Sequence, residues 1–158
     1  MKISNTKLIN ILLLCLIFAT VIFIFVQSML PPEKSSAESD AFGEIIEEII
    51  PSDTPTGEYI QTNLRKLAHF VEFALLGFEA ALYVSLFMKR VFIALSYPFA
   101  ILTAFVDESI QMFSGRGPAI FDVWIDFFGF LIFASGVYVV YFAVYCFLKW
   151  RNKRNLNG

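Results

Sequence analysis

Four apolar stretches, each long enough to cross a lipid bilayer, constrain this chain more than any other feature of its sequence. They cover residues 8–30, 67–88, 91–113 and 123–148. A helix rises about 1.5 Å per residue, so roughly 20 apolar residues span the hydrocarbon core of about 30 Å. Open strands would leave backbone groups unpaired in lipid. We therefore predict an all-α integral membrane protein with four transmembrane helices.

The composition supports a membrane protein and argues against nucleic-acid binding. Of the 158 residues, 58% are hydrophobic and only 16% are charged, whereas soluble domains carry about 25% charged residues. The formal net charge is -2, and no basic stripe is present that could follow a phosphate backbone. The lipid bilayer is therefore the expected partner, and we expect no nucleic-acid partner.

The positions of the basic residues predict the orientation of the helices. Lysine and arginine are enriched in cytoplasmic loops. Eight of the 12 lysines and arginines lie before the first stretch, between the second and third, or after the fourth. None of the 14 acidic residues lies in these three segments. Eight acidic residues lie instead between residues 33 and 58. We predict a multi-pass protein of the cytoplasmic membrane with both termini cytoplasmic and an acidic extracellular loop between helices 1 and 2.

These patterns divide the chain into four regions. Residues 1–30 form an N-terminal transmembrane anchor helix, and residues 31–63 form the acidic extracellular loop. Residues 64–148 form a three-helix membrane domain, and residues 149–158 form a basic cytoplasmic tail. A signal peptide is the competing interpretation of the N-terminus, but the first apolar run is longer than the usual signal core. We expect the first helix to remain as an anchor or a packing partner.

The acidic loop contains one amphipathic segment within a composition typical of irregular chain. Isoleucines recur at helical spacing opposite glutamates over residues 42–50, and Pro51 ends the run. We predict a short helix there. It would either cover a site as a lid or pack against the rim of the bundle.

Ionisable and amide side chains gather near the predicted outer ends of the last three helices. They are Arg65, Lys66, His69 and Glu72 at the second helix, Asp107, Glu108 and Gln111 in the third, Arg116 in the following turn, and Asp122 and Asp126 at the fourth. The helical rise places His69, Glu108 and Asp126 roughly 6–9 Å below the outer boundary. An ionisable group within the membrane costs about 2.5–3.5 kcal/mol and usually faces the bundle interior. We therefore predict a polar pocket that faces outward.

The residue types in this pocket suggest two roles. Guanidinium and ammonium groups bind phosphate or carboxylate, and an imidazole beside carboxylates can transfer protons. The candidate ligand-binding residues are Arg65, Lys66, Gln111, Arg116, Asp122 and Asp126. The candidate catalytic residues are His69, Glu72, Asp107 and Glu108.

The charge balance of the pocket leaves several alternatives open. Three cationic side chains face five carboxylates, so protonated carboxyl groups, a protonated His69, a bound cation or a cationic ligand must offset the excess. A hard metal held by His69, Glu72, Asp107, Glu108 and Asp122 is possible. We assign no metal ligands, because the chain has one histidine and no signature spacing. Buried ion pairs that only fix helix register are the structural alternative.

Two further features concern helix packing. Glu79 lies one heptad from Glu72 on the same face, and we predict that it pairs with a serine or threonine hydroxyl. Gly77, Gly129 and Gly136 are predicted to permit close approach of helices.

Two ordered blocks resemble the signature of the VanZ-like membrane protein family. The first is RKLAHFVEF at 65–73 followed by LG at 76–77, and the second is DExxQ at 107–111, GR at 115–116 and DVxxDxxG at 122–129. In this chain Ile110 stands where many relatives carry histidine. Residues 64–148 would then be a VanZ-like three-helix domain.

The resemblance implies a bacterial protein of the cell envelope, and the family's namesake is associated with resistance to the glycopeptide teicoplanin. We expect the chain to bind or modify a surface component such as an anionic lipid headgroup, a lipid-linked precursor or a glycopeptide. A membrane-embedded enzyme with a carboxylate-histidine site and a structural membrane protein with buried ion pairs are the alternatives. Neither the residues nor the resemblance identifies a reaction or a cofactor.

Overall fold

The computed structural model describes residues 5–51, 53–115 and 119–156, which form helices without any strand. The six helices are α1 (Asn5–Ser28), α2 (Pro32–Ile49), α3 (Pro55–Thr62), α4 (Leu64–Phe87), α5 (Val91–Phe113) and α6 (Ile120–Leu156). Among the described residues, α1, α4, α5 and α6 are the helices long and apolar enough to cross a membrane. The predicted all-α, four-helix membrane architecture is confirmed.

Three of the long helices extend beyond the predicted apolar stretches. α1 begins at Asn5 rather than at residue 8. α4 begins at Leu64 rather than at residue 67, and α6 covers 37 residues from Ile120 to Leu156 rather than 123–148. The flanking segments contain arginine and lysine, which are good helix formers, so the backbone hydrogen bonding continues past the apolar core. At about 1.5 Å per residue α6 is about 55 Å long, well beyond the hydrocarbon thickness of about 30 Å, so hydropathy does not mark where this helix ends.

The segment between α1 and α4 is more helical than its composition predicts. α2 begins at Pro32 and α3 begins at Pro55. Proline is well tolerated in the first helical turn, because the missing N–H group has no intrahelical partner there. Thr54 also caps α3, since its hydroxyl accepts a hydrogen bond of 3.0 Å from the Gly57 amide. Both short helices pack against α4.

The four long helices alternate in direction, which gives the bundle two distinct ends. α1 and α5 finish at the same end at which α4 and α6 begin, because Ser28 of α1 contacts Asp107 near the end of α5. We call the end that contains Ser28, Leu64, Phe113 and Ile120 the polar end. α2 and α3 connect α1 to α4 at this end.

The core of the bundle lies where α4 crosses α6, and glycine permits the close approach. A Cβ atom added to Gly77 would lie 2.5 Å from the carbonyl oxygen of Phe130, and one added to Gly129 would overlap the carbonyl oxygen of Phe70. Each added Cβ atom would lie closer to a backbone oxygen than a carbon atom can tolerate, so these two positions require glycine. The prediction of close packing is confirmed for Gly77 and Gly129. It is wrong for Gly136, where an added Cβ would have nothing within 4 Å.

α1 is a packing partner of the other helices and carries hydroxyl groups into the bundle. Thr20, Ile24 and Ser28 are buried at intervals of four residues. The Thr20 hydroxyl donates a hydrogen bond of 3.1 Å to Glu79 Oε1. This bond confirms the prediction that Glu79 pairs with a serine or threonine hydroxyl.

Candidate functional site

Three helices bring polar side chains together inside the polar end of the bundle. His69 of α4, Asp107 of α5 and Asp126 of α6 each offer a nitrogen or oxygen atom, and these atoms lie within 4.8 Å of one another. All three residues are buried. Together with their neighbours Glu72 and Gln111, we call these residues the polar cluster.

The imidazole of His69 lies between two carboxylates. Its Nδ1 atom is 3.7 Å from Asp107 Oδ2 and 3.8 Å from Glu72 Oε2. Both distances exceed the usual limit of about 3.2 Å for a direct hydrogen bond. At these distances the two carboxylates attract the imidazole electrostatically when it is protonated.

Asp107 is held in place by a chain of side-chain hydrogen bonds. The Ser28 hydroxyl donates to Asp107 Oδ1 at 2.5 Å, and the Gln111 amide donates to Asp107 Oδ2 at 2.8 Å. The guanidinium of Arg65 donates in turn to Gln111 Oε1. These contacts fix the Asp107 carboxylate and connect it to a cation at the start of α4.

Asp126 is the least satisfied member of the polar cluster. It is 1% exposed, and neither of its carboxylate oxygens has a hydrogen-bond partner among the described residues. Its charged neighbours include Glu72, Asp107, Glu108 and Asp122, all of which are acidic. A buried carboxylate in such surroundings is costly unless another group neutralises it.

The remaining candidate residues lie around this cluster. Glu108 is buried, and its Oε1 atom accepts a hydrogen bond of 2.6 Å from the Ala119 amide, which ties α5 to the start of α6. Arg65 and Asp122 are half-buried, and Lys66 is exposed. Arg116 lies outside the described residues. The structure thus brings His69, Glu72, Asp107, Gln111 and Asp126 together and places Arg65 beside them.

The family of the chain follows from a match that includes this whole site. The family model VanZ/LLP1 matches residues 11–153. The chain belongs to the VanZ/LLP1 family. Comparison with curated proteins and with solved structures finds no match. The family agrees with the resemblance that the two sequence blocks indicate, and the match extends that resemblance to α1, α2 and α3.

The α4–α6 crossing explains how this VanZ/LLP1 chain assembles its polar cluster. Gly129 contacts the backbone of Phe70, which directly follows His69. Asp126 precedes Gly129 by about one helical turn, so it faces the same side of α6. Because the two backbones touch at this point, the side chains of His69 and Asp126 are brought to one position.

Sequence reasoning missed the contribution of α1 to the site. Ser28 donates to Asp107, whereas the apolar run of α1 predicts only an anchor or a packing helix. The available signal is the pair of hydroxyl residues Thr20 and Ser28, which are eight residues apart and therefore share one face with Ile24. Two hydroxyl groups on one face of an apolar helix indicate that this face packs against polar groups of the bundle.

An apolar crevice opens beside the polar cluster of the VanZ/LLP1 chain. It lies between α1 and α4 and has a volume of about 400 Å³. Its lining residues are Ala19, Thr20, Phe23, Val71, Glu72 and Leu75. Glu72 belongs to both the crevice and the polar cluster, so the crevice lies directly beside the polar site.

Proposed function

We propose that this VanZ/LLP1 chain binds an anionic lipid or a lipid-linked envelope precursor at the polar end of its bundle. The observation that carries the proposal is the apolar crevice between α1 and α4, which shares Glu72 with the polar cluster. Arg65 lies seven residues before Glu72 on the same face of α4, about 10 Å nearer the polar end. A ligand with an acyl chain in the crevice would therefore place its headgroup beside Arg65.

The cationic residues supply the recognition chemistry in this proposal. The Arg65 guanidinium is half-buried and is oriented by Gln111, and Lys66 beside it is exposed. Arginine binds phosphate or carboxylate with paired hydrogen bonds, and lysine adds a mobile positive charge. Arg116 completes the cationic set in the proposal. The half-buried Asp122 would contact hydroxyl or amine groups of the ligand, whereas Asp126 is buried behind it in the polar cluster.

A second candidate function is modification of the same lipid. The imidazole of His69 between Glu72 and Asp107 favours proton transfer. In such an enzyme His69 would exchange a proton with the ligand. Glu72, Asp107 and Glu108 would orient the imidazole or return a proton to it. A purely structural role for the buried charges is the remaining alternative, and it requires no ligand at all.

The cellular setting belongs to the same proposal. We infer a position in the bacterial cytoplasmic membrane with the polar end facing outward, because the basic residues gather at the opposite end. Lipid-linked precursors and lipid-bearing glycopeptides are both amphiphiles with polar headgroups. Binding of either at this face would account for a role in teicoplanin-type resistance.

We expect Arg65→Gln to weaken binding of phosphatidylglycerol by about tenfold, since a hydrogen bond to a charged group contributes about 1.5–3 kcal/mol. Native mass spectrometry of the purified protein in detergent, titrated with phosphatidylglycerol or phosphatidylcholine, measures the difference. Lys89→Gln is the matched control, because it removes one positive charge at the other end of α4. The same spectra give the mass of the bound lipid, and a change in that mass would show that the chain modifies the lipid.

Two outcomes of this titration would contradict lipid binding at the polar end. One is equal affinity of the wild type for the two lipids. The other is equal loss of affinity in Arg65→Gln and Lys89→Gln. Val71→Trp tests the crevice separately, because the larger side chain should fill it and exclude the acyl chain, whereas Leu86→Trp adds the same bulk elsewhere on the exposed surface of α4.

The orientation is tested by labelling single cysteines in intact cells. With Cys15 and Cys146 replaced by serine, we expect Thr56→Cys in α3 to react with a membrane-impermeant maleimide, because its end of the bundle faces outward. Lys153→Cys at the other end of the chain should react only after the cells are lysed. Labelling of Lys153→Cys in intact cells would contradict the predicted topology, because it would place that end of the chain outside the cell.

A further inference from the structure

We infer that His69, Asp107 and Asp126 form a binding site for a divalent first-row transition metal. The site lies within the polar cluster, but metal binding there does not require a lipid ligand. The inference therefore goes beyond the proposed function, and either of the two can hold without the other.

The first argument is the condition of Asp126. Its carboxylate is 1% exposed, and both oxygens lack a hydrogen-bond partner among the described residues. The side chain projects to the point where an imidazole nitrogen of His69 and a carboxylate oxygen of Asp107 converge. Protonation would remove the charge of Asp126, but its oxygens would still lack partners within the described part of the chain. A bound metal ion would both neutralise the charge of Asp126 and give its carboxylate a partner.

The second argument is the spacing of the donor atoms. His69 Nδ1 and Asp107 Oδ2 are 3.7 Å apart, which is too long for a hydrogen bond. Two ligands that each bind one ion at about 2.0–2.2 Å in tetrahedral geometry lie about 3.5 Å apart. The three donor atoms lie within 4.8 Å of one another, so small rotations of these side chains bring all three to bonding distance.

The third argument is the support around the ligands. Metal-binding carboxylates are usually held by further hydrogen bonds, which fix their orientation. Asp107 accepts hydrogen bonds from Ser28 and Gln111, and Gln111 is held by Arg65. The ligands also come from three different helices, so the ion would connect α4, α5 and α6.

This ligand set differs from the metal alternative that the sequence leaves open. Asp126 is included because it is buried and converges with the other two residues. Glu108 and Asp122 are omitted because neither contributes a donor atom to the group that lies within 4.8 Å, and Asp122 is only half-buried at the start of α6. Glu72, 3.8 Å from the His69 nitrogen, can serve as a fourth ligand.

The donor types indicate which ions would bind. Imidazole favours zinc and related transition metals, whereas carboxylates also suit manganese. One imidazole with two carboxylates therefore favours Zn²⁺ or Mn²⁺ over Ca²⁺, which prefers oxygen ligands only. The two negative charges of Asp107 and Asp126 would balance the charge of a divalent ion within the bundle.

The test uses the full-length protein, purified in detergent without a histidine tag, stripped of metal and free of added lipid. We expect the wild type to bind one Zn²⁺ or one Mn²⁺ per chain and to unfold at a higher temperature when the ion is present. Asp126→Asn should weaken binding by at least about tenfold. Glu79→Gln is the matched control, because it neutralises a different buried carboxylate, and it should bind the ion as the wild type does.

A spectroscopic measurement on the wild type keeps the test decisive if Asp126→Asn fails to fold. The chain has one histidine, so nitrogen coupling from imidazole in pulsed electron paramagnetic resonance of bound Mn²⁺ must come from His69. Three results would overturn the site: no binding at 100 µM of either ion, wild-type affinity in folded Asp126→Asn, or bound Mn²⁺ without imidazole coupling. Lipid selectivity in the Arg65→Gln experiment is measured separately, so the failure of either proposal is recognisable.

Discussion

Gly129→Ala is expected to lower the free energy of unfolding by about 3 kcal/mol or more, which is the upper end of the usual cost of overpacking a core. The added methyl group would overlap the carbonyl oxygen of Phe70 and lie 3.2 Å from the Ala74 nitrogen. Both are backbone atoms, so no side chain can rotate to make room, and the two helices must move apart. Unfolding of the purified protein by increasing mole fraction of sodium dodecyl sulfate, followed by tryptophan fluorescence, measures the change.

The other helical glycines supply the controls for this prediction. Gly77→Ala should be similarly destabilising, because its added Cβ would lie 2.5 Å from the Phe130 carbonyl oxygen. Gly136→Ala should be neutral or slightly stabilising, since alanine favours helix and an added Cβ would have nothing within 4 Å. Equal unfolding curves for Gly129→Ala and Gly136→Ala would show that α4 and α6 do not cross as described.

The same crossing connects stability to the site. Asp126 lies one turn from Gly129, so a wider separation of α4 and α6 would carry its carboxylate away from His69. Small residues at the crossing are therefore a condition for the polar cluster as well as for the core. The apolar contacts at Phe73 and Phe130 stabilise the bundle, whereas the glycines determine which polar groups meet within it.

The sequence predicts the architecture well because membrane insertion depends on local properties. The length and hydropathy of a segment decide whether it spans the bilayer, and the helical rise gives the depth of each ionisable residue. For this reason the common depth of His69 and Asp126 is predictable before any packing is known. The ends of α4 and α6 are less predictable, because a helix continues into water wherever its residues favour helix.

The particular contacts of the site depend on rotation and packing, which a single sequence specifies poorly. Asp122 and Asp126 both lie on the polar side of α6, and only the close approach at Gly129 makes Asp126 the buried member of the pair. Ser28 reaches Asp107 because α1 packs with its Thr20–Ser28 face inward. Neither contact follows from charge counting, although the excess of carboxylates over cations does indicate that a neutralising group is needed.

Ser28→Ala is the second substitution with a large expected effect, and it tests whether α1 belongs to the folded protein. The Ser28 hydroxyl donates at 2.5 Å to Asp107, which is 0% exposed. Loss of a hydrogen bond to a charged, buried group costs about 1.5–3 kcal/mol, and the detergent unfolding curve should shift accordingly.

Ser109→Ala is the matched control, because the Ser109 hydroxyl donates only to the carbonyl oxygen of Phe105 in its own helix, at 2.7 Å, among the described residues. It should change stability by less than about 0.5 kcal/mol. A cleaved signal peptide would remove Ser28 from the mature protein, and Ser28→Ala would then have no effect on unfolding. A shift in Ser28→Ala alone would therefore establish both that α1 is retained and that it supports the orientation of Asp107, on which the polar cluster depends.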